Sequence, residues 1–301
     1  MSTRRMSYFE AAARARAAGL VDAGSLVEFC PPERRRTSPH LARLDAPVAF
    51  DDGLLAARAT LGGHPVLLAA QEGKFNGGAV GEVHGAKICG LLRRAWAERP
   101  AAVLLLVDSG GVRLHEANAG LIAISEIMRG VLAVQAAGVP VLALVGGSCG
   151  AFGGMGIVTR LCDAVIMSEE GRLGLSGPEV IETVKGVGEF DARDRSLVWR
   201  VTGGKLRRAL GEATALVEDD VAAFRAAALD CLQQARRASA DLAALQAAQA
   251  ALEARHANYP AARDGLEIWR AMGLADAERL PMLDAQEFNR RLAALDTERV
   301  Q

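Results

Sequence analysis

The stretch VPVLALVGGSCGAFGGMGIVTRLCDAVIM, Val139 to Met167, sets the architecture. Val139 to Val145 is an apolar run of strand length, Gly153 to Thr159 reads as a short helix, and Ala164 to Met167 is apolar again. Strand, glycine-rich turn, helix and strand in that order specify parallel strands with helices packed over them. The same alternation extends upstream. Ala119 to Ala137 reads as a helix, Val103 to Asp108 as a buried strand, and Ala79 to Glu98 as a helix. Further back, Val48 to Phe50, Leu54 to Leu61 and Val66 to Ala70 are strand-like. Turn signals at Asp51-Asp52-Gly53 and Gly62-Gly63-His64 separate them. Antiparallel strands therefore open a mixed, largely parallel sheet.

The flanks read differently. Residues 8 to 30 suggest one or two short helices, and Met1 to Ala18 a surface helix, not a targeting peptide. The strand signals stop after about Gly204. Val221 to Ala257 and Ala285 to Leu295 are Ala- and Leu-rich at helical spacing, suited to close contact with the chain's own core or with a partner. The expected organisation is a single α/β domain over 1–301. It has N-terminal helices and a loop (1–45), a core (46–205) and a helical C-terminal extension (206–301).

Of 301 residues, half are hydrophobic, 35 are Lys or Arg and 36 are Asp or Glu, for a formal charge of −1. That balance disfavours a nucleic-acid partner, which needs a basic face. No apolar run is long and uncharged enough for a membrane span, so a cytoplasmic protein is expected. Cys30, Cys89, Cys149, Cys162 and Cys231 are odd in number and form no C-x-x-C pair, which points to buried free thiols with no disulfide or zinc role. The run Arg34-Arg35-Arg36 reads as a solvated loop, with an anionic cofactor tail as its functional alternative.

Four glycine-bearing segments hold the candidate chemistry. They are Glu72 to Glu82, Asp108 to Arg113, Gly146 to Gly156 and Gly174 to Glu179. Three lie at expected carboxyl ends of strands, where open α/β sheets bind ligands. Glycine lets backbone approach a ligand closely, and unpaired N–H groups at a helix start face it. Two such donors on one carbonyl oxygen stabilise an oxyanion, as conversion of an acyl thioester to its enolate requires. His84, His115, Glu82 and Glu116 are candidate proton donors, each with a structural alternative. Lys74 and Lys87 could meet phosphates or be ordinary surface lysines. Gly146-Gly147-Ser148-Cys149-Gly150 also fits G-x-S-x-G, which would make Ser148 a hydrolase nucleophile. The only downstream histidine, His256, lies in the Ala-rich tail, against that reading.

Phe75 to Ile88 (FNGGAVGEVHGAKI), Ser109 to Glu116 (SGGVRLHE) and Gly174 to Glu182 (GLSGPEVIE) resemble the signatures of acyl-CoA carboxyltransferase beta subunits. Within that superfamily, Gly150 to Gly156 and Glu189 to Trp199 followed by Thr202-Gly203-Gly204 are most similar to the malonate decarboxylase beta subunits. The resemblance implies a crotonase-like β-β-α superhelix. It further implies a malonyl thioester on a coenzyme-A-like prosthetic group of an acyl carrier protein, and a homologous gamma subunit as partner. By the family motif, Gly153 and Gly154 form an oxyanion hole and Gly77 and Gly78 line the thioester pocket. Lys74, Phe75, Asn76, Gly110, Gly111, Ser176 and Gly177 are the expected substrate contacts. Neither metal nor biotin is expected: there is no Met-Lys-Met biotin site, and only Cys30 lies where some bacterial acetyl-CoA carboxylase beta subunits carry four zinc-binding cysteines. The alternatives are a biotin-dependent carboxyltransferase, an enoyl-thioester hydratase or isomerase, and a non-catalytic subunit presenting the carrier arm.

Overall fold

The computed structural model describes residues 5–34, 36–43, 52–234 and 241–298. One seven-stranded sheet carries its strands in chain order. Helix α1 (Ala13–Leu20) is followed by edge strand β1 (Val27–Phe29) and helix α2 (Pro39–Arg43). β2 (Leu54–Leu61) and β3 (His64–Gln71) form a hairpin with Leu61 opposite His64. Its loop residues Gly62 and Gly63 have φ of 58° and 81°. Two successive positive values match a type I′ turn, whose twist suits the flanking strands.

Parallel repeats then follow. β3 leads to α3 (Glu82–Glu98), β4 (Ala102–Val107) to α4 (Ala119–Ala136), β5 (Val141–Val145) to α5 (Gly153–Leu161), and β6 (Ala164–Ser168) to α6 (Pro178–Lys185). Between each strand and its helix, one-residue parallel rungs form a second layer: Val80 pairs with Val112, Ser109 with Ala151, and Ala151 with Leu173. Strand, rung and helix repeated in this way make the crotonase-like β-β-α superhelix. Every residue of β4, β5 and β6 is buried, because apolar layers cover both sheet faces. On one face Leu105, Ile127, Val145 and Met155 belong to the core that lies under α3 to α5.

After α7 (Arg195–Thr202) and α8 (Gly204–Ala209), the sheet ends on β7 (Ala215–Val217), parallel to β6. Helix α9 (Val221–Gln234) returns with α1 to cover the second sheet face, stacking Phe224 on Tyr8 at 4.0 Å. α10 (Leu242–Asn258), α11 (Gly265–Met272) and α12 (Ala285–Glu298) complete the described chain. Trp269, Leu280 and Phe288 form a third core with Leu206 and Leu216.

Several expectations change. Val27–Phe29 is a strand where helix was expected, and Ala215–Val217 is a strand beyond the point where strand signals were expected to stop. Both are three-residue edge strands, too short to show a period. α1 is no surface helix, since Ala13, Arg16, Ala17 and Leu20 are buried. The cysteines are free but not buried: Cys30 is exposed and the other four are partly exposed. The Ala-rich α10 has no buried residue and so does not serve the chain's own core. The strand expected over 48–50 lies outside the described residues. By length and composition α4 alone among the described helices suits a membrane, but its Ile124, Ile127, Val131 and Val134 are buried in the sheet-facing core.

Candidate active site

The sheet delivers the four glycine segments to one end, and backbone hydrogen bonds stitch them together. Gly110 N–H donates to Gly77 O at 2.8 Å, Ser109 N–H to Gly150 O at 2.6 Å, and Phe152 N–H to Ser109 O at 2.9 Å. Gly174 N–H donates to Ala151 O at 3.1 Å. Asp108, at the end of all-apolar β4, is the hub. Its carboxylate accepts Cys149 N–H at 2.7 Å and Arg16 Nη1 at 2.7 Å. A Cβ on Gly73 or Gly147 would collide with that carboxylate, and one on Gly78 with the Asp108 carbonyl. The Arg16 and Asp108 side chains are 3% and 1% exposed. A charge pair that deeply buried survives only when its remaining hydrogen bonds are met. Arg16 does this by also donating to the carbonyls of Tyr8 and Phe9.

A second buried pair supports the first segment. Arg113 Nη1 lies 3.1 Å from Glu116 Oε1, and Glu116 Oε2 accepts Glu82 N–H at 2.6 Å, capping α3. Arg113 also donates to Asp52 O at 2.7 Å and lies over the Phe75 ring at 5.1 Å. Glu116 is thus a cap and pairing group, not a proton donor. His84 is fully buried, and burial together with the Arg113 charge pushes its pKa down to about 3. Gln71 Nε2 lies 3.0 Å from His84 Nε2, and His84 Nδ1 lies 3.3 Å from Asp52 O. Those neighbours assign a neutral ring that donates from Nδ1 and accepts at Nε2. A neutral, enclosed imidazole is a structural group. Lys87 is committed to Asp52 and the Leu54 carbonyl. His115 and Lys74 are exposed, and Glu82 accepts from Ser38 at 2.9 Å.

At the start of α5, Gly153 N–H is already donated to Leu175 O at 2.8 Å. Gly154 N–H and Met155 N–H have no acceptor among the described residues. Across from them, a Cβ on Gly153 would stand 3.3 Å from the Gly111 Cα. Gly111 N–H has only the Ser109 hydroxyl, at 3.3 Å. The structure therefore brings Gly77, Gly78, Gly110, Gly111, Gly153 and Gly154 together. Phe75 and Asn76 lie on the same turn, and Ser176 and Gly177 follow Leu175 into the start of α6. Ser148 has no histidine contact among the described residues; its carbonyl accepts from Arg172, and its hydroxyl has only Cys149 Sγ, at 4.0 Å. Partial burial, with the nearby Asp108 charge, raises the Cys149 thiol pKa, so that sulfur is no activated nucleophile. Among the described residues no three His, Cys, Asp or Glu side chains group as a metal site. The sequence reading missed two residues, Asp108 as hub and Arg16. An acid ending an all-apolar strand was the available signal for Asp108.

Comparison with known proteins bears on this arrangement. Residues 10–204 match the model of the carboxyl transferase domain. Over 242 residues the chain is 43% identical to the malonyl-S-ACP:biotin-protein carboxyltransferase MADC of Malonomonas rubra, covering 76% of each. It is 34% identical over 176 residues to a putative propionyl-CoA carboxylase beta chain of Bacillus subtilis, of which it spans 33%. A chain of the Pseudomonas malonate decarboxylase hetero-tetramer in complex with malonate superposes with a TM-score of 0.74 at 44% identity, covering 77% of this chain and 85% of that one. The Pseudomonas malonate decarboxylase MdcD-MdcE hetero-dimer gives 0.62 at 40% identity, covering 76% and 89%. With the superhelix, the stitched glycine segments and a family match over most of its length, the chain belongs to the carboxyl transferase domain family.

Proposed function

We propose that this chain is the beta-type subunit of a cytoplasmic, biotin-independent malonate decarboxylase. It acts on a malonyl thioester borne by the coenzyme-A-like prosthetic group of an acyl carrier protein. The observation that carries the reading is Gly154 N–H without an acceptor among the described residues, next to Gly153, whose Cβ position lies 3.3 Å from Gly111 Cα, with His84, Glu116 and Asp108 all committed elsewhere. Such a site offers backbone dipoles and no enclosed acid–base side chain. That suits loss of carbon dioxide from the malonyl group. The C–C bond breaks, its electron pair moves into the thioester carbonyl to give an enolate, and a proton then adds at carbon. Gly154 N–H and Gly111 N–H are the proposed oxyanion donors, in place of Gly153, each worth about 3 kcal/mol in the transition state. Gly77 and Gly78 line the thioester side.

Leu114 just after the second segment, Leu175 on the fourth, Val180 and Val184 on α6 and Val187 just beyond it stand exposed. An apolar rim of this kind supports a covering partner, and a homologous gamma-type subunit is the proposed one. The solved Pseudomonas relatives are a hetero-tetramer and a hetero-dimer.

The test is carbon dioxide release from a malonyl thioester by the chain co-purified with its partner, without biotin or ATP. Gly154→Ala and Gly154→Pro both add bulk against Ile124, which a Cβ would meet at 2.6–2.8 Å. Only proline removes the N–H, and the first helical turn tolerates it. Turnover about 10²-fold or more lower in the proline variant than in the alanine variant is expected. Equal rates would remove Gly154 from the oxyanion hole. A second reading, biotin-dependent carboxyl transfer, is favoured by the likeness to the malonyl-S-ACP:biotin-protein carboxyltransferase of Malonomonas rubra. It wins if no carbon dioxide is released without biotin and the malonyl carboxyl group is instead found on a biotinylated acceptor once that is supplied.

A further inference from the structure

Three helices bring arginines to one acid near the fourth glycine segment. Arg160 stands in the last turn of α5, Arg207 on α8 and Arg255 in the last turn of α10. Arg207 Nη1 lies 2.6 Å from Glu212 Oε2, and Arg255 Nη1 lies 2.5 Å from Glu212 Oε1. Arg160 Nη1 donates to the Glu212 backbone carbonyl at 2.6 Å, and Arg255 Nη2 to the Leu210 carbonyl at 2.9 Å. Among the described residues no other carboxylate pairs with any of the three. Three positive charges around one negative leave an excess of two. Burial lowers the Arg160 pKa; Glu212 opposes this, but the Arg255 and Arg207 charges add to it.

The excess charge borders a cavity of about 260 Å³. Arg160, Arg207 and Glu212 supply its polar lining, and Ile157, Leu173 and Leu175 its apolar lining. Arg207 Nε is buried and has no hydrogen-bond partner among the described residues. A buried guanidinium N–H left unpaired is costly and calls for an acceptor. Glu212 does not serve it, because its two oxygens are taken by Arg207 Nη1 and Arg255 Nη1. Arg160 makes one hydrogen bond among the described residues, to a backbone carbonyl, so its other donors are open as well. Two guanidinium groups suffice to hold the two oxygens of Glu212. The third brings a charge that the cluster itself does not balance.

We propose that this cavity binds a phosphate-type dianion, held by Arg160 and Arg207. A dianion matches the excess of two charges, and guanidinium forks hold phosphate oxygens in paired hydrogen bonds. Ile157 and Leu175 leave an apolar wall for the short stem of a phosphate monoester. The site is distinct from the glycine segments, since Arg160 lies six residues, about 9 Å, along α5 from Gly154. It touches them at one point: Leu175 lines the cavity and also gives its carbonyl to Gly153 N–H. The inference does not depend on which reaction the glycine segments run.

Calorimetry with inorganic phosphate, on the chain co-purified with its partner and at constant ionic strength, tests it. Saturable binding to the native chain is expected. Arg160→Glu reverses the charge that touches only backbone, and phosphate affinity falls at least tenfold. Arg207→Lys keeps a positive charge beside Glu212 but removes the Nε donor, and affinity falls at least threefold. Melting without phosphate reads the folding of each variant separately. Added phosphate raises the melting midpoint of the native chain by mass action and leaves that of Arg160→Glu unmoved. A cluster that only braces Glu212 would alter melting in the variants with no phosphate dependence, which overturns the proposal. No saturable binding, or equal affinity in the native chain and both variants, overturns it too. So does a signal that fades with added sodium chloride to the same degree in the native chain and in Arg160→Glu, since that is surface screening. Tighter binding of propyl phosphate than of inorganic phosphate assigns the cavity to a monoester. Equal or weaker binding assigns it to free phosphate.

Discussion

Gly78 and Gly154 each close a glycine pair at a strand-to-helix turn, yet different neighbours hold them. Gly78 has φ of 64°, and a Cβ there would run into the backbone carbonyl of Asp108. Gly154 is not in the left-handed region, and its absent Cβ faces only the Ile124 side chain. The first glycine is demanded by rigid backbone on two counts. The second gives the start of α5 a close approach to α4 while its N–H stays unspent. One motif thus serves construction at β3 and exposes a donor at β5.

The largest expected effect breaks that contrast directly. Gly78→Ala adds a left-handed penalty of about 1–2 kcal/mol to a clash with backbone that cannot rotate away. A total loss of about 3 kcal/mol or more is expected. Gly154→Ala meets the branched, buried Ile124 side chain, an overpacking cost of about 1–3 kcal/mol, and helix propensity returns about 1 kcal/mol, so its net cost should stay below about 2 kcal/mol. Urea titration of the two variants checks this. Equal midpoints would show that the two glycines do one job after all.

Asp108 joins the two pairs, and its replacement sharpens what each depends on. Asp108→Asn strands the Arg16 charge in the interior, for an expected loss of about 3 kcal/mol. Arg16→Met in the same chain removes the stranded charge and should recover part of that loss. A double-mutant cycle gives the coupling between the two residues. Additive losses would mean that Asp108 acts through Cys149 N–H alone and that α1 is not tied to the site by charge.

Much of the fold was legible because its signals are long. Leu54–Leu61 is a strand over the bounds expected for it, and α3, α4 and the buried strands fall within a few residues of theirs. What escaped was short or non-local. β1 and β7 have three residues each, fewer than any period needs. The candidate site divides along the same line. Glycine segments announce themselves at strand ends. Which of their amides is free depends on Leu175 O reaching Gly153 N–H from 22 positions away in the chain, a pairing that no local pattern encodes. Arg16 lies 92 positions from Asp108. His84 and Glu116 looked like acid–base chemistry because residue type carries no burial; their partners make them supports.

The smallest effect concerns that last point and tests the first segment through pH. His84 links Gln71, whose Oε1 accepts Asp108 N–H at 3.3 Å, to the Asp52 carbonyl. Burial chiefly, then the Arg113 charge, lowers its pKa from 6.5 to about 3. In the unfolded chain His84 takes up a proton as pH falls through about 6.5; in the folded chain it does not until about 3. Its stabilising contribution is therefore complete above pH 6.5 and is lost as pH falls toward 3. The slope is about 1.4 kcal/mol per pH unit, or about 2 kcal/mol by pH 5. Urea midpoints of the native chain and of His84→Gln should converge as pH falls from 7.5 to 5, because only the native chain loses this contribution. An imidazole resonance of His84 titrating near 6.5 in the folded protein would contradict the burial argument and return His84 to the list of proton donors. Silence across that range keeps His84 among the supports of the first segment and leaves the exposed His115 as a candidate proton donor for the proposed decarboxylation.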